Sequence, residues 1–134
     1  MKGTRYSNAL FLRWMLVGVL MLGTAVTVLA EAKAQFQKKE HDFGYISENG
    51  GKVTCSFEFV NSGDKPLVII DAKAECGCTT PDFPRRPIEA GAKGVIKVTY
   101  NPKDRPGAFR KEITVRTNGK PKRTTLVVIG SVKK

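Results

Sequence analysis

Residues 35–134 predict an all-β chain folded as two antiparallel sheets packed face to face. Apolar and polar residues alternate along several short runs. Turn-forming residues interrupt those runs about every ten positions. No stretch after Gln35 carries a 3.6-residue apolar period long enough for a helix.

Taken in order, the first run is His41-Asp42-Phe43-Gly44-Tyr45-Ile46. Its Phe43 is a core candidate, and Gly44 lets the strand bend or pass close to a neighbour. Glu48-Asn49-Gly50-Gly51 then turns the chain into a second strand, in which Val53, Cys55, Phe57 and Phe59 share one face and Thr54, Ser56 and Glu58 the other. Asn61-Ser62-Gly63-Asp64 is expected to supply a positive φ angle and side-chain-to-backbone bonds, after which Pro66 opens the next strand. Thr79-Thr80-Pro81 and Asp82-Phe83-Pro84-Arg85-Arg86-Pro87 predict an irregular crossover and a plausible exposed edge. Glu89-Ala90-Gly91-Ala92 precedes Val95–Tyr100, and Pro102–Gly107 separates that run from Ile113–Thr117. Asn118-Gly119 follows, and Leu126-Val127-Val128-Ile129 is apolar on both faces, as a central or late strand would be. Six or seven short strands at this spacing predict an immunoglobulin-like antiparallel β-sandwich of about seven strands. The antibody hallmarks are missing: no tryptophan follows Trp14, and Cys55 and Cys76 are too close in sequence for the usual inter-sheet pair.

The N-terminus carries a different signal. Lys2, Arg5 and Arg13 precede an uncharged, mostly apolar run from Trp14 to Ala30, and small residues then alternate at Ala30, Ala32 and Ala34. That order predicts a signal peptide over residues 1–34 and a single domain over 35–134. Cleavage before Gln35 is favoured over cleavage before Glu31, because it leaves a polar stretch between the apolar run and the cut. The other reading is an uncleaved anchor, although residues 14–30 are at the short limit for crossing about 30 Å of hydrocarbon. Either way the domain is expected outside the cytoplasm, in the periplasm or cell envelope. Membrane contact is expected only through residues 14–30 if they stay attached.

Loss of residues 1–34 removes Lys2, Arg5, Arg13, Lys33 and Glu31, lowering the formal charge from +11 to +8. Basic residues are interspersed with acidic ones, and no basic-aromatic interleaving of the kind that stacks bases occurs. The densest spots, Arg85-Arg86 and Lys120-Pro121-Lys122-Arg123, look like exposed turns. No nucleic-acid partner is expected.

Chemistry concentrates in Ala74-Glu75-Cys76-Gly77-Cys78-Thr79-Thr80. Thiols this close are normally oxidised outside the cytoplasm. In a regular strand the two Cα atoms would stand somewhat over 6 Å apart, so a bridge requires tightening at Gly77, where the missing Cβ gives freedom. Such a ring closes almost no unfolded-state loop, so its entropic contribution is small. Cys76 and Cys78 are therefore disulfide or redox candidates, with metal ligation or free thiols as further readings. Cys55 is a possible third thiol, read first as a small apolar core residue and otherwise as a bridging partner of Cys76 or Cys78.

Other enzyme chemistry finds little support. His41 is the single histidine, the carboxylates are scattered, and Gly50-Gly51-Lys52 lacks the upstream glycine and following hydroxyl of a phosphate loop. No catalytic residue, cofactor or metal is predicted.

Four motifs also carry a resemblance: His41–Ile46, Phe57–Leu67, Cys76-Gly77-Cys78-Thr79 and Arg105-Pro106-Gly107, in that order. Across residues 41–132 the chain resembles a bacterial family known as domain of unknown function fifteen-seventy-three, common in exported proteins of Bacteroidetes-type bacteria. The family is similar to hydin-type and major-sperm-protein-like sandwiches, which act in binding and assembly. The resemblance implies an immunoglobulin-like fold and an extracytoplasmic location, and brings no established activity. Many members have histidine where this chain has Cys55, so a site using that histidine does not transfer. The expected function is an exported, non-enzymatic binding or assembly module whose partner is another extracytoplasmic protein or an envelope component. The alternative is a thiol-redox or metal-handling protein centred on Cys76 and Cys78.

Overall fold

In a computed structural model, the described residues are Gly23, Ala25 and 29–134. The expected leader at 1–34 and its apolar run at 14–30 lie largely outside them. Among the described residues there is no helix, and the eight strands are β1 (Ala34–Phe36), β2 (Glu40–Ser47), β3 (Val53–Asn61), β4 (Ile69–Ala74), β5 (Thr79–Asp82), β6 (Lys93–Tyr100), β7 (Gly107–Thr117) and β8 (Arg123–Lys133).

They form two four-stranded sheets, ordered β1-β3-β6-β5 and β2-β8-β7-β4. All pairings are antiparallel except β2 with β8, which is parallel. This is an immunoglobulin-like sandwich in which the N-terminal edge is shared between the sheets: β1 pairs with β3, and the chain then crosses to place β2 beside β8. The expected first strand at His41–Ile46 is β2; an unexpected β1 precedes it, and the polar stretch Gln37-Lys38-Lys39 carries the crossing from one sheet to the other.

The alternation seen in sequence becomes the core. Phe57 and Phe59 on β3 and Ile96 and Val98 on β6 face Ile113 and Val115 on β7 and Leu126 and Val128 on β8. All are buried, and each such side chain contributes about 1.5–3 kcal/mol relative to exposure. The two-sided apolar character of Leu126–Ile129 follows from position: β8 lies between β2 and β7, and Val127 on its outer side is also buried.

Three local expectations differ. Gly63 does not use a positive φ; it is needed because an added Cβ would lie 2.1 Å from the Glu31 carbonyl oxygen. Thr79–Asp82 is not irregular but forms β5, which tolerates Pro81 because it is an edge strand and needs to pair only with β6. At Gly77 the space around an added Cβ is open and the φ is not left-handed, so the bend there does not depend on glycine.

Candidate functional site

The Cys76-Gly77-Cys78 turn joins β4 in one sheet to β5 in the other, at the side where both are edge strands. The bend brings the two Cα atoms to 5.2 Å, and the sulfurs are bonded to each other. The Thr79 N–H donates to the Cys76 carbonyl at 3.2 Å, and the Asn101 N–H donates to the Cys78 carbonyl at 2.9 Å. The bridge is therefore tied to the end of β6 as well as to its own turn. The Cys78 N–H also donates to Cys76 Sγ at 3.1 Å. Cys78 is buried, whereas Cys76 is half-buried.

Cys78 packs into a second, smaller core with Tyr100 and Val132, against which Phe43, Ile46, Val53, Cys76 and Phe109 also pack. Tyr100 stacks on Phe109 with ring centroids 3.9 Å apart. His41 lies edge-on to Phe43 at 4.7 Å. Two of the motifs quoted from the sequence, the His41–Ile46 run and the cysteine turn, thus meet at one end of the sandwich. Their convergence was not readable from spacing, because β2, β6, β7 and β8 reach that end from distant parts of the chain.

Cys55 does not join the pair. It is 6% exposed on β3, opposite Val98, and belongs to the main core. Burial pushes its thiol up from 9.0 to about 11, with a backbone hydrogen bond opposing the rise. A neutral, inert thiol is the consequence. Among the described residues no group of three or more His, Cys, Asp and Glu side chains is placed to hold a metal ion.

One residue of each basic spot has a local partner, as does Arg116 outside them. The Arg85 guanidinium lies 4.0 Å over the Phe83 ring, Lys120 pairs with Glu31 at 2.7 Å, and Arg116 makes a forked ion pair with Asp71. Hydrogen bonding to Arg116 holds the Asp71 carboxyl below its ordinary range.

Sequence reasoning did not single out Tyr45. Gly44 has a φ of 67° and the Asp42 carboxylate accepts its N–H at 2.7 Å, so β2 bulges between Asp42 and Tyr45. The bulge leaves Tyr45 74% exposed on the outer face, with the Lys133 ammonium 4.1 Å over its ring. Beside it is a shallow depression lined by Asp42, Ala108, Phe109, Ile129 and Ser131. The signal that could have found it is the tyrosine directly after a bulge-forming glycine.

The four sheet edges are each blunted. β1 has three residues, β5 contains Pro81, and β2 and β4 carry register shifts at Asp42/Tyr45 and Ile69/Asp71. Short strands, proline and bulges are the means by which edges avoid pairing with other chains.

The family model described as "Protein of unknown function (DUF1573)" matches residues 34–132, and the chain belongs to that family. A Porphyromonas gingivalis W83 protein of unknown function superposes with a TM-score of 0.67 at 16% identity, over 80% of this chain and 50% of that one. The chain thus spans half the length of that protein. PapD-like domain 7 of human CEP192 superposes with a TM-score of 0.60 at 12% identity, over 83% and 92% of the two chains. The YadV chaperone gives 0.54 at 14% identity, over 75% and 52%. At these identities the likeness concerns the fold. No curated protein sequence matches the chain.

Proposed function

We propose that this member of the DUF1573 family is an exported, non-enzymatic binding or assembly module that meets a protein or envelope component through the outer face of β2, β8 and β7. The observation that carries the reading is Tyr45: an aromatic side chain 74% exposed on a rigid sheet, beside a depression walled by Ala108 and Ile129. Tyrosine provides large contact area with little conformational entropy to lose, and is enriched where partners dock. The blunted edges favour this face over addition of a partner strand. The neighbours that share the fold include a chaperone and a domain of a larger protein, which supports the module reading without naming a partner.

The test is a photo-cross-linking side chain placed at position 45, and separately at Lys97 on the other sheet, in cells that export the protein. A discrete cross-linked species from position 45, absent from position 97 and lost when Ile129→Lys is added, is the expected result. Equal labelling at both positions, or none at 45, overturns the docking face. Tyr45→Ala should leave the unfolding free energy within about 0.5 kcal/mol of the parent, as an exposed substitution does.

One observation favours the second reading. Cys76 is half-buried and Cys78 buried, so of the two residues Cys76 is the more open to an attacking thiolate. In that reading the oxidised pair accepts two electrons from a partner dithiol: the partner thiolate attacks Cys76 Sγ, the Cys78 thiolate leaves, and a second partner thiolate resolves the mixed disulfide. A mixed disulfide between Cys76 and a partner thiol, isolated from the unsubstituted protein by acid quenching and alkylation, supports it. An unchanged phenotype for Cys76→Ser plus Cys78→Ser removes it.

A further inference from the structure

We infer that the processed chain begins at Glu31, and that its new α-ammonium is held by Asp64. The inference rests on the export reading and is independent of the docking face at Tyr45.

Packing starts abruptly at this point. Leu29 is 81% exposed and Ala30 is exposed, whereas Ala32 and Ala34 are buried in the main core. Residues 31–33 are bound into the two neighbouring turns by their backbone. The Glu31 carbonyl accepts from Asp64 N–H at 2.8 Å and Lys65 N–H at 3.3 Å, the Ala32 carbonyl from Lys120 N–H at 3.0 Å, and the Lys33 carbonyl from Ser62 N–H at 2.9 Å. The Lys33 N–H donates to Asn61 Oδ1 at 3.2 Å.

The turns are shaped around this segment. An added Cβ at Gly63 would lie 2.1 Å from the Glu31 carbonyl oxygen, and one at Gly119 would lie 2.4 Å from the Ala32 carbonyl oxygen. Neither residue has a positive φ, so close approach of residues 31 and 32 is what requires glycine at both. A cut before Gln35 would remove those residues and fall within β1, whose Ala34 pairs with Asn61. Turn donors would lose their acceptors, and both glycines would lose their reason.

A cut before Glu31 preserves every one of these contacts. It also strengthens another. The Glu31 nitrogen donates to Asp64 Oδ1 at 2.6 Å as an amide; hydrolysis of the Ala30–Glu31 bond consumes one water, leaves a carboxylate on Ala30 and makes that nitrogen an ammonium. The same bond then becomes charge-assisted, and such bonds are roughly twice as strong as neutral ones. Val28-Leu29-Ala30 supplies the small residue at −1 and a tolerated residue at −3.

The test is the intact mass of the full chain expressed in an exporting bacterium and recovered from separate compartments. An envelope or periplasmic species starting at Glu31 is expected. One starting at Gln35, or at Met1, in that same fraction overturns the inference while leaving export standing; a Met1 species confined to the cytoplasm overturns both. Gly63→Ala provides a second readout on the recovered protein. With residues 31–33 in place it should lower the thermal midpoint by several degrees, and an unchanged midpoint overturns the inference.

Discussion

The two ends of the sandwich are closed by different chemistry. At one end, the turns after β3 and β7 and the segment at 31–33 are joined by hydrogen bonds centred on Asn61, which is 0% exposed. Its Nδ2 donates to the Lys65 and Ile88 carbonyls at 2.7 and 2.9 Å, and its Oδ1 accepts from Lys33 and Gly63. At the other end, the Cys76–Cys78 bridge sits on a small apolar core of Tyr100, Val132, Phe43 and Phe109. One end thus depends on a buried polar residue that makes four hydrogen bonds. The other depends on apolar contact supplemented by one covalent bond.

The largest effect is therefore expected at the polar end. Asn61→Ala removes four hydrogen bonds, each worth about 0.5–1.5 kcal/mol net; the Ile88 carbonyl keeps the Leu67 N–H, while the part-buried Lys33 and Gly63 N–H groups and the Lys65 carbonyl lose this partner. A loss of about 4 kcal/mol in urea unfolding is expected, a large share of the about 5–15 kcal/mol that ordinary domains possess. A loss below about 1 kcal/mol would mean that the turns hold themselves and that Asn61 only decorates them.

Next comes Cys76→Ser with Cys78→Ser. The ring closed by the bridge is minimal, so the denatured chain is hardly constrained, and a cost of about 2 kcal/mol is expected. Urea unfolding with and without reductant checks it: the reduced parent and the double variant should coincide. A loss greater than that of Asn61→Ala would reverse the ranking of the two ends and make the bridge a structural staple.

These ends were unequally legible in the sequence. Alternation over Val53–Phe59 and Val95–Tyr100 translated directly into buried faces, because a strand's side chains must alternate whatever lies beyond. The cysteine turn was visible as a motif, but its partners Tyr100, Phe109 and Val132 were not, since only the closed sandwich brings them together. Gly63 was legible as a turn residue for the wrong reason. Its role is to admit the Glu31 carbonyl, a contact across the fold that leaves no local trace in sequence. Thr79–Asp82 was obscured by Pro81, which forbids a central strand but not an edge. Tyr45 was hidden because exposure after a bulge depends on the parallel pairing of β2 with β8.

The smallest predicted effect isolates the third cysteine, which lies in the main core between the two ends. Cys55 is neutral when folded, its thiol pushed by burial from 9.0 to about 11. A raised folded-state value means that its contribution is fully present below the unfolded value near 9 and is lost as pH rises toward 11, because the unfolded chain releases its proton first. At about 1.4 kcal/mol per pH unit, the loss at pH 10 is roughly 1 kcal/mol. Cys55→Val keeps an apolar side chain on β3 and has no proton to lose, so its stability relative to the parent should rise between about pH 8 and pH 10 when followed by urea unfolding under reducing conditions. If the difference stays flat across that window, water reaches the Cys55 thiol and the main core is looser there than the burial of its neighbours Phe57 and Val98 implies.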